Sequence, residues 1–155
     1  RLERKFEGLN TPHKVKMAVS ACPRNCAESG IKDVGVVGVE GAWEMYVGGN
    51  GGTHLREADL LFKFKTGDEL VEMISAFLQY YRESAKYLER TSAWVERLGI
   101  DHIREVLSDE LMVKEYNNRI DEALSVVQDP WKEAINNKNL LRDLYQNVKV
   151  PVETK

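Results

Sequence analysis

The fold turns on SACPRNCAESGIKDVGVVG, Ser20–Gly38. It opens with the only two cysteines of the 155-residue chain, Cys22 and Cys26, and closes on a β-branched run punctuated by glycine. Just before it, VKMAVS (Val15–Ser20) alternates apolar and polar residues, the pattern of a short strand leading into the cysteines. DVGVVGVE (Asp33–Glu40) reads as a second strand. After a turn at Gly41, AWEMYVGG (Ala42–Gly49) is its hairpin partner, with Trp43, Met45 and Val47 on one face. A glycine-dense loop, GGNGGTH (Gly48–His54), leads to a further strand in ADLLFKFK (Ala58–Lys65).

Everything beyond is helical in pattern. Thr66 and Glu69 have capping-box spacing, and Leu70, Ile74, Phe77, Tyr81 and Leu88 recur at helical intervals. TSAWVERLG (Thr91–Gly99) ends on a C′ glycine, and IDHIREVL (Ile100–Leu107) follows it. A longer helix carries Met112, Tyr116, Ile120, Ala123 and Val127. Asp129-Pro130 then signals another helix from Trp131, and the tail VKVPVETK is expected to fray. The predicted class is α+β: a small mixed or antiparallel sheet with the cysteines at its edge, and a helical C-terminal part. Residues 1–107 form the first unit and 108–155 a helical extension.

A composition of 43% hydrophobic and 30% charged residues fits a folded domain with one core. No apolar run approaches the roughly 20 residues of a membrane helix. The opening RLERKFEG places charges where a signal peptide needs an apolar stretch, and the absence of an initial Met reads as a piece of something longer. Two cysteines are too few for a secreted disulfide scaffold, which favours a reducing, cytoplasmic setting. Net charge is −3, but Arg1–Lys32 holds seven Lys/Arg against three Glu, or +4, leaving −7 for the rest. Positive charge around the cysteines favours anions and thiolates there. It is too sparse, and too poor in aromatics, for nucleic acid.

Two thiols four residues apart admit three readings: a redox pair, half of a metal site, or core. A thioredoxin-type pair has two intervening residues, not three. Zinc needs two further ligands, and His13, His54 and His102 do not stand at zinc spacing. An iron–sulfur cluster needs four ligands. Buried, chemically silent cysteines are also common. If the segment turns helical from Pro23, both sulfurs share one face, and the free N–H groups of the helix start favour anionic sulfur. Gly48, Gly49, Gly51 and Gly52 around Asn50 let backbone N–H groups approach an anion, or else form a plain hairpin tip. Cysteine segment and glycine loop together suggest an anion-receiving edge.

TPHKVKMAVSACPRNCAESGIKDVGVVGVEGAWEMYVGGNGG, Thr11–Gly52, resembles the second half of the sirohaem and 4Fe-4S domain of nitrite and sulfite reductases. Within that family it is most similar to the C-terminal region of bacterial NAD(P)H-dependent assimilatory nitrite reductase large subunits. A C-x3-C with Pro after its first Cys, a D-x-G-x-x-G strand and a strand ending in G-G-N carry the resemblance. AFLQYYRESAKYLERTSAWVERLGIDHIREVL extends it to Leu107.

The resemblance implies that Cys22 ligates the cluster, and that Cys26 ligates both a cluster iron and the sirohaem iron. It implies that Arg24 and Asn25 face the cofactors, that Lys14 and Lys16 meet cofactor carboxylates or the anionic substrate, and that Gly48, Gly49 and Asn50 reach the sirohaem edge through their N–H groups. For the lysines a solvated strand face is an equal alternative. His54 is read as a loop residue.

The family's second cysteine pair, C-x5-C, is absent from these 155 residues, as is any flavin or dinucleotide fingerprint. The expectation is a fragment of a nitrite reductase, apo and inactive alone. FAD and NAD(P)H would be bound upstream, and the upstream half of the chain and a small reductase subunit would be its partners. A sulfite reductase fragment and a non-catalytic interaction module are the alternatives. A sheet face left uncovered would promote self-association near Cys22–Gly52.

Overall fold

The computed structural model describes residues 1–127 together with 135–137, 139 and 142. Helix α1 (Leu2–Phe6) precedes strand β1 (Met17–Ser20). A connection bearing a 3₁₀ turn (Ser29–Ile31) leads to β2 (Val34–Val39), followed by β3 (Ala42–Val47) and β4 (Asp59–Phe64). Helices α2 (Gly67–Ser84), α3 (Thr91–Leu98), α4 (Ile100–Leu107) and α5 (Glu110–Ser125) follow. The sheet order is β1-β2-β3-β4. β1 runs parallel to β2, and the other neighbours are antiparallel, so the sheet is mixed, as expected.

The parallel pair explains the length of the cysteine segment. Parallel neighbours cannot be joined by a tight hairpin and need a crossover of a dozen or so residues. Here that crossover is residues 21–33, and it carries both cysteines. It covers one face of β2 while the helices cover the other, so Val34 to Gly38 are all buried. That double cover is why β2 is a near-continuous apolar run.

The core face pairs Val34 with Val47 and Val36 with Met45, and packs them against Leu70, Ile74, Phe77 and Tyr81 of α2. The Thr66 capping box forms: Glu69 N–H donates to Thr66 Oγ1 at 3.3 Å, and Thr66 N–H to Glu69 Oε2 at 3.2 Å. Trp94 lies edge-on to Phe77, Tyr80 and Tyr81 at centroid distances of 5.2–5.5 Å, which fixes α3 on α2. The helical extension expected from Ser108 shares this core as far as α5, whose Tyr116 and Ile120 are buried in it.

Three sequence expectations need correction. α2 ends at Ser84, so Leu88 lies beyond it, 59% exposed with a left-handed φ of 61°. The Ser84 carbonyl accepts from Arg97, its hydroxyl from Trp94, and the Pro12 carbonyl takes Leu88 N–H, so tertiary partners capture the chain where periodicity would continue it. Val127 falls after α5 and packs on Gly8, where a Cβ would come within 2.4 Å of it. The cysteine segment is not helical from Pro23, as detailed below. The Asp129-Pro130 helix start and the fraying of Val148–Lys155 lie outside the described residues.

Candidate metal and cofactor site

The cysteine crossover is two successive turns rather than a helix. Asn25 N–H donates to Cys22 O at 3.1 Å and Glu28 N–H to Asn25 O at 2.8 Å, with left-handed φ of 53° at Asn25 and 56° at Glu28. Residues in that conformation interrupt a right-handed helix, and asparagine tolerates it best among non-glycine residues. The helix-face and helix-start arguments therefore do not apply. Both thiols are nonetheless free and exposed, outside the core formed by the described residues.

The buried frame beneath them is polar. Ser20, the last residue of β1, places its hydroxyl 2.9 Å from that of Ser29, 3.2 Å from Asn25 Oδ1 and 3.3 Å from Ala27 N. The glycines of the D-x-G-x-x-G strand let the crossover lie flat on β2. A Cβ at Gly35 would stand 2.0 Å from the Ser29 carbonyl oxygen, and one at Gly38 would stand 2.5 Å from that of Ala21.

The aspartate of the same motif ties the crossover's far end to the helices. Asp33 is fully buried, and its Oδ2 accepts Lys16 N–H at 2.9 Å and Arg90 Nη2 at 2.7 Å. Its Oδ1 accepts the Thr91 hydroxyl. Tyr81 donates its hydroxyl to Glu89 O next to this cluster. Burial, with the Asp33 charge adding to it, pushes the Tyr81 phenol up to about 12.

The glycine loop behaves differently from expectation. Gly48 N–H donates to Asp33 O at 3.0 Å, Gly49 N–H to Lys32 O at 2.9 Å and Asn50 N–H to Arg56 O at 2.9 Å. These three donors are committed to the protein and are not free for an anion. The Asn50 side chain is used within the loop, accepting Gly52 N–H and donating to His54 O. Arg56 clamps the loop from outside through Gly48 O, Asp59 and Glu96. Gly48 has φ of 74°, and Gly49 admits no Cβ because Lys32 O would be 2.6 Å away.

The two cysteines stand near the start of the crossover, whereas the glycine loop meets its far end through Lys32 O and Asp33 O. Ser20 is level with Val37 in the sheet, whereas Val47, just before the loop, is level with Val34. The three-residue offset sets Ser20 and Val47 roughly 10 Å apart along the sheet. Lys14 and Lys16 have exposed side chains and precede β1, at the end remote from the cysteines, while Arg24 is exposed between them. Asn25 turns inward to Ser20 rather than outward. Sequence reasoning missed Ser20, Ser29, Asp33, Arg90 and Thr91 as supports. The D-x-G-x-x-G spacing marked Asp33, but nothing local links it to residues 57 and 58 positions away.

The donor set fits part of an iron–sulfur site. Cluster irons take soft thiolate ligands, and this crossover presents two exposed cysteines on a hydrogen-bonded frame. Among the described residues no group of three or more Cys, His, Asp or Glu is arranged to hold a metal ion. The pair thus fits half of a four-thiolate set. No helix among the described residues is long and apolar enough to cross a membrane.

Comparison with known proteins identifies the family. The chain is 65% identical to nitrite reductase [NAD(P)H] of Bacillus subtilis (strain 168) over 147 residues, covering 95% of this chain and 18% of that protein. It is 36% identical to the nitrite reductase (NADH) large subunit of Escherichia coli (strain K12), covering 87% of this chain and 16% of that protein. An assimilatory-type sulfite reductase of Nitratidesulfovibrio vulgaris is 39% identical over 106 residues, 68% of this chain and 49% of its own length. The chain therefore spans under a fifth of the nitrite reductases it matches. Residues 1–115 match the nitrite and sulphite reductase 4Fe-4S domain, and the chain belongs to that family.

Proposed function

We propose that this chain is part of an NAD(P)H-dependent nitrite reductase, a cytoplasmic enzyme that reduces nitrite to ammonia by six electrons. The observation that carries the reading is the pair of exposed thiols, Cys22 and Cys26, held outward on the buried Ser20–Asn25–Ser29 frame. In the full-length protein these two sulfurs would supply half the ligands of a 4Fe-4S cluster, and Cys26 would also hold the sirohaem iron. Those centres, when bound, would supply electron transfer to the anion, with NAD(P)H and FAD held elsewhere in the longer chain as the proposed electron source.

The residues present have narrower tasks. Cys22 and Cys26 bind metal; Ser20, Ser29, Gly35 and Gly38 orient them. Arg24, exposed between the thiols, adds positive charge where anionic cofactor and nitrite approach. Asn50, Gly48 and Gly49 shape the neighbouring wall, and Lys14 and Lys16 serve as more distant anion contacts. β1 is an edge strand. A pocket of about 820 Å³ beside it is lined by Phe6, Met17, Trp43 and Leu70 among others. An upstream half of the longer chain would cover that surface, as an unpaired edge demands. A small reductase subunit is a further partner, and the isolated chain is proposed to be apo, inactive and prone to self-associate.

The test is iron and sirohaem analysis of the full-length protein, with assays on nitrite and sulfite. Cluster and sirohaem in the wild type, their loss in Cys22→Ser and Cys26→Ser, and faster turnover of nitrite are expected. Preference for sulfite would move the chain to the sulfite reductases. Wild-type full-length protein without iron would refute the cofactor reading and favour an interaction module.

A further inference from the structure

We infer that Ser20 is a positioning residue for Cys26, a role that rests on the proposed reading of Cys26 as a metal ligand. The argument begins with the valence of a hydroxyl group, which has one proton to donate and two lone pairs to accept with. At Ser20 all three are used. The hydroxyl donates to Asn25 Oδ1 at 3.2 Å, and accepts Ala27 N–H at 3.3 Å. With Ser29 Oγ, 2.9 Å away, as donor, the second lone pair is taken as well.

The two partners other than Ser29 are the residues immediately before and after Cys26. One hydroxyl, anchored in the sheet and 4% exposed, thus holds both neighbours of an exposed sulfur. Moving either neighbour of Cys26 away from the sheet costs one of these bonds. The rest of the loop is built to accept this arrangement. Asn25 adopts a left-handed φ, and the missing Cβ of Gly30 leaves space for Asn25 Nδ2, which would otherwise lie 3.0 Å from it. Ser29 is fully buried beneath, so the hydroxyl pair sees no competing water. Groups that orient metal ligands tune both affinity and redox potential.

The experiment compares Ser20→Ala, Ser20→Thr and Ser29→Ala with wild type in the full-length enzyme. Readouts are iron content under chelator challenge, the electron paramagnetic resonance signature and midpoint potential of the reduced cluster, kcat and KM for nitrite, and the thermal midpoint. Ser20→Ala is expected to lose cluster roughly 10- to 100-fold faster, with an altered resonance signature and kcat lowered at unchanged KM. Ser20→Thr keeps the hydroxyl and restores the wild-type signature. Ser29→Ala removes one of the three bonds and gives an intermediate shift.

Wild-type iron retention, signature and potential in Ser20→Ala would overturn the inference. If Ser20→Ala does not fold, Ser29→Ala decides, and a wild-type signature there overturns it equally. Wild-type enzyme that binds no iron would instead refute the underlying reading of the cysteines.

Discussion

The cysteine crossover and the glycine loop are two connections on one sheet, built on opposite plans. The crossover turns its polar backbone and small side chains inward, to Ser20, Ser29 and the flat face of β2, and leaves its thiols outside. The glycine loop spends its N–H groups on Asp33, Lys32 and Arg56, and its glycines serve close packing. One loop displays chemistry; the other buttresses it. Ala58 N–H, donating to Gly30 O at 2.7 Å just after the glycine loop, continues the buttress under the 3₁₀ turn. Glycine density alone therefore does not identify an anion site. What matters is where the freed N–H groups point.

The comparison breaks most severely at Gly35. Gly35→Ala drives a Cβ into the Ser29 backbone carbonyl, which no side-chain rotation relieves. A loss of about 4 kcal/mol or outright failure to fold is expected in urea denaturation. Gly49→Ala meets the Lys32 backbone at a longer distance, in a loop with more freedom to shift, and should cost about 2 kcal/mol by the same measurement. An equal or larger loss for Gly49→Ala would mean the glycine loop, not the crossover, is the stiffer element.

Glu89 sharpens the comparison from the helical side. It accepts Arg97 Nη2 at 2.7 Å and Lys86 N–H at 2.8 Å, bracing the segment whose Arg90 and Thr91 hold Asp33. The Arg97 guanidinium holds its carboxyl down to about 2, from an ordinary value of 4.5. A lowered carboxyl stabilises the fold above the unfolded-state value and loses that contribution as pH falls towards the folded one. Glu89→Gln should therefore lower the thermal midpoint at pH 7, by less than the glycine variants, with the gap to wild type closing between about pH 4.5 and pH 2. A gap independent of pH would show that the ion pair contributes nothing. The smallest effect belongs to the displayed groups themselves. Cys22→Ser with Cys26→Ser, both exposed, should change stability of the chain by no more than about 0.5 kcal/mol in the absence of metal. A larger change would mean that the thiols are part of the frame.

Much of this was legible because it is local. Strand alternation around Met17–Ser20 and Val34–Val47, the Thr66–Glu69 box and the glycine after α3 each depend on neighbours within a few residues. Failures came where distant parts meet. Leu88 kept helical period but lost the helix to contacts with Pro12 and Arg97. Gly48 and Gly49 looked free because the carbonyls that take their N–H groups lie on another strand's approach. The Cys22–Cys26 segment looked ready for a helix because the pull of Ser20 on Asn25 and Ala27 has no local sign.

By itself, then, the sequence determined that a strand pair with two thiols at its margin precedes a helical region, since periodicity, capping and spacing are properties of short segments. It also carried enough motif order to place the chain in its family. Tertiary structure alone decided which groups are displayed and which are consumed. A hydrogen bond or a missing Cβ acquires its meaning from the partner brought against it, and for Ser20, Gly35, Gly49 and Asp33 that partner arrives only when the crossover closes over β2.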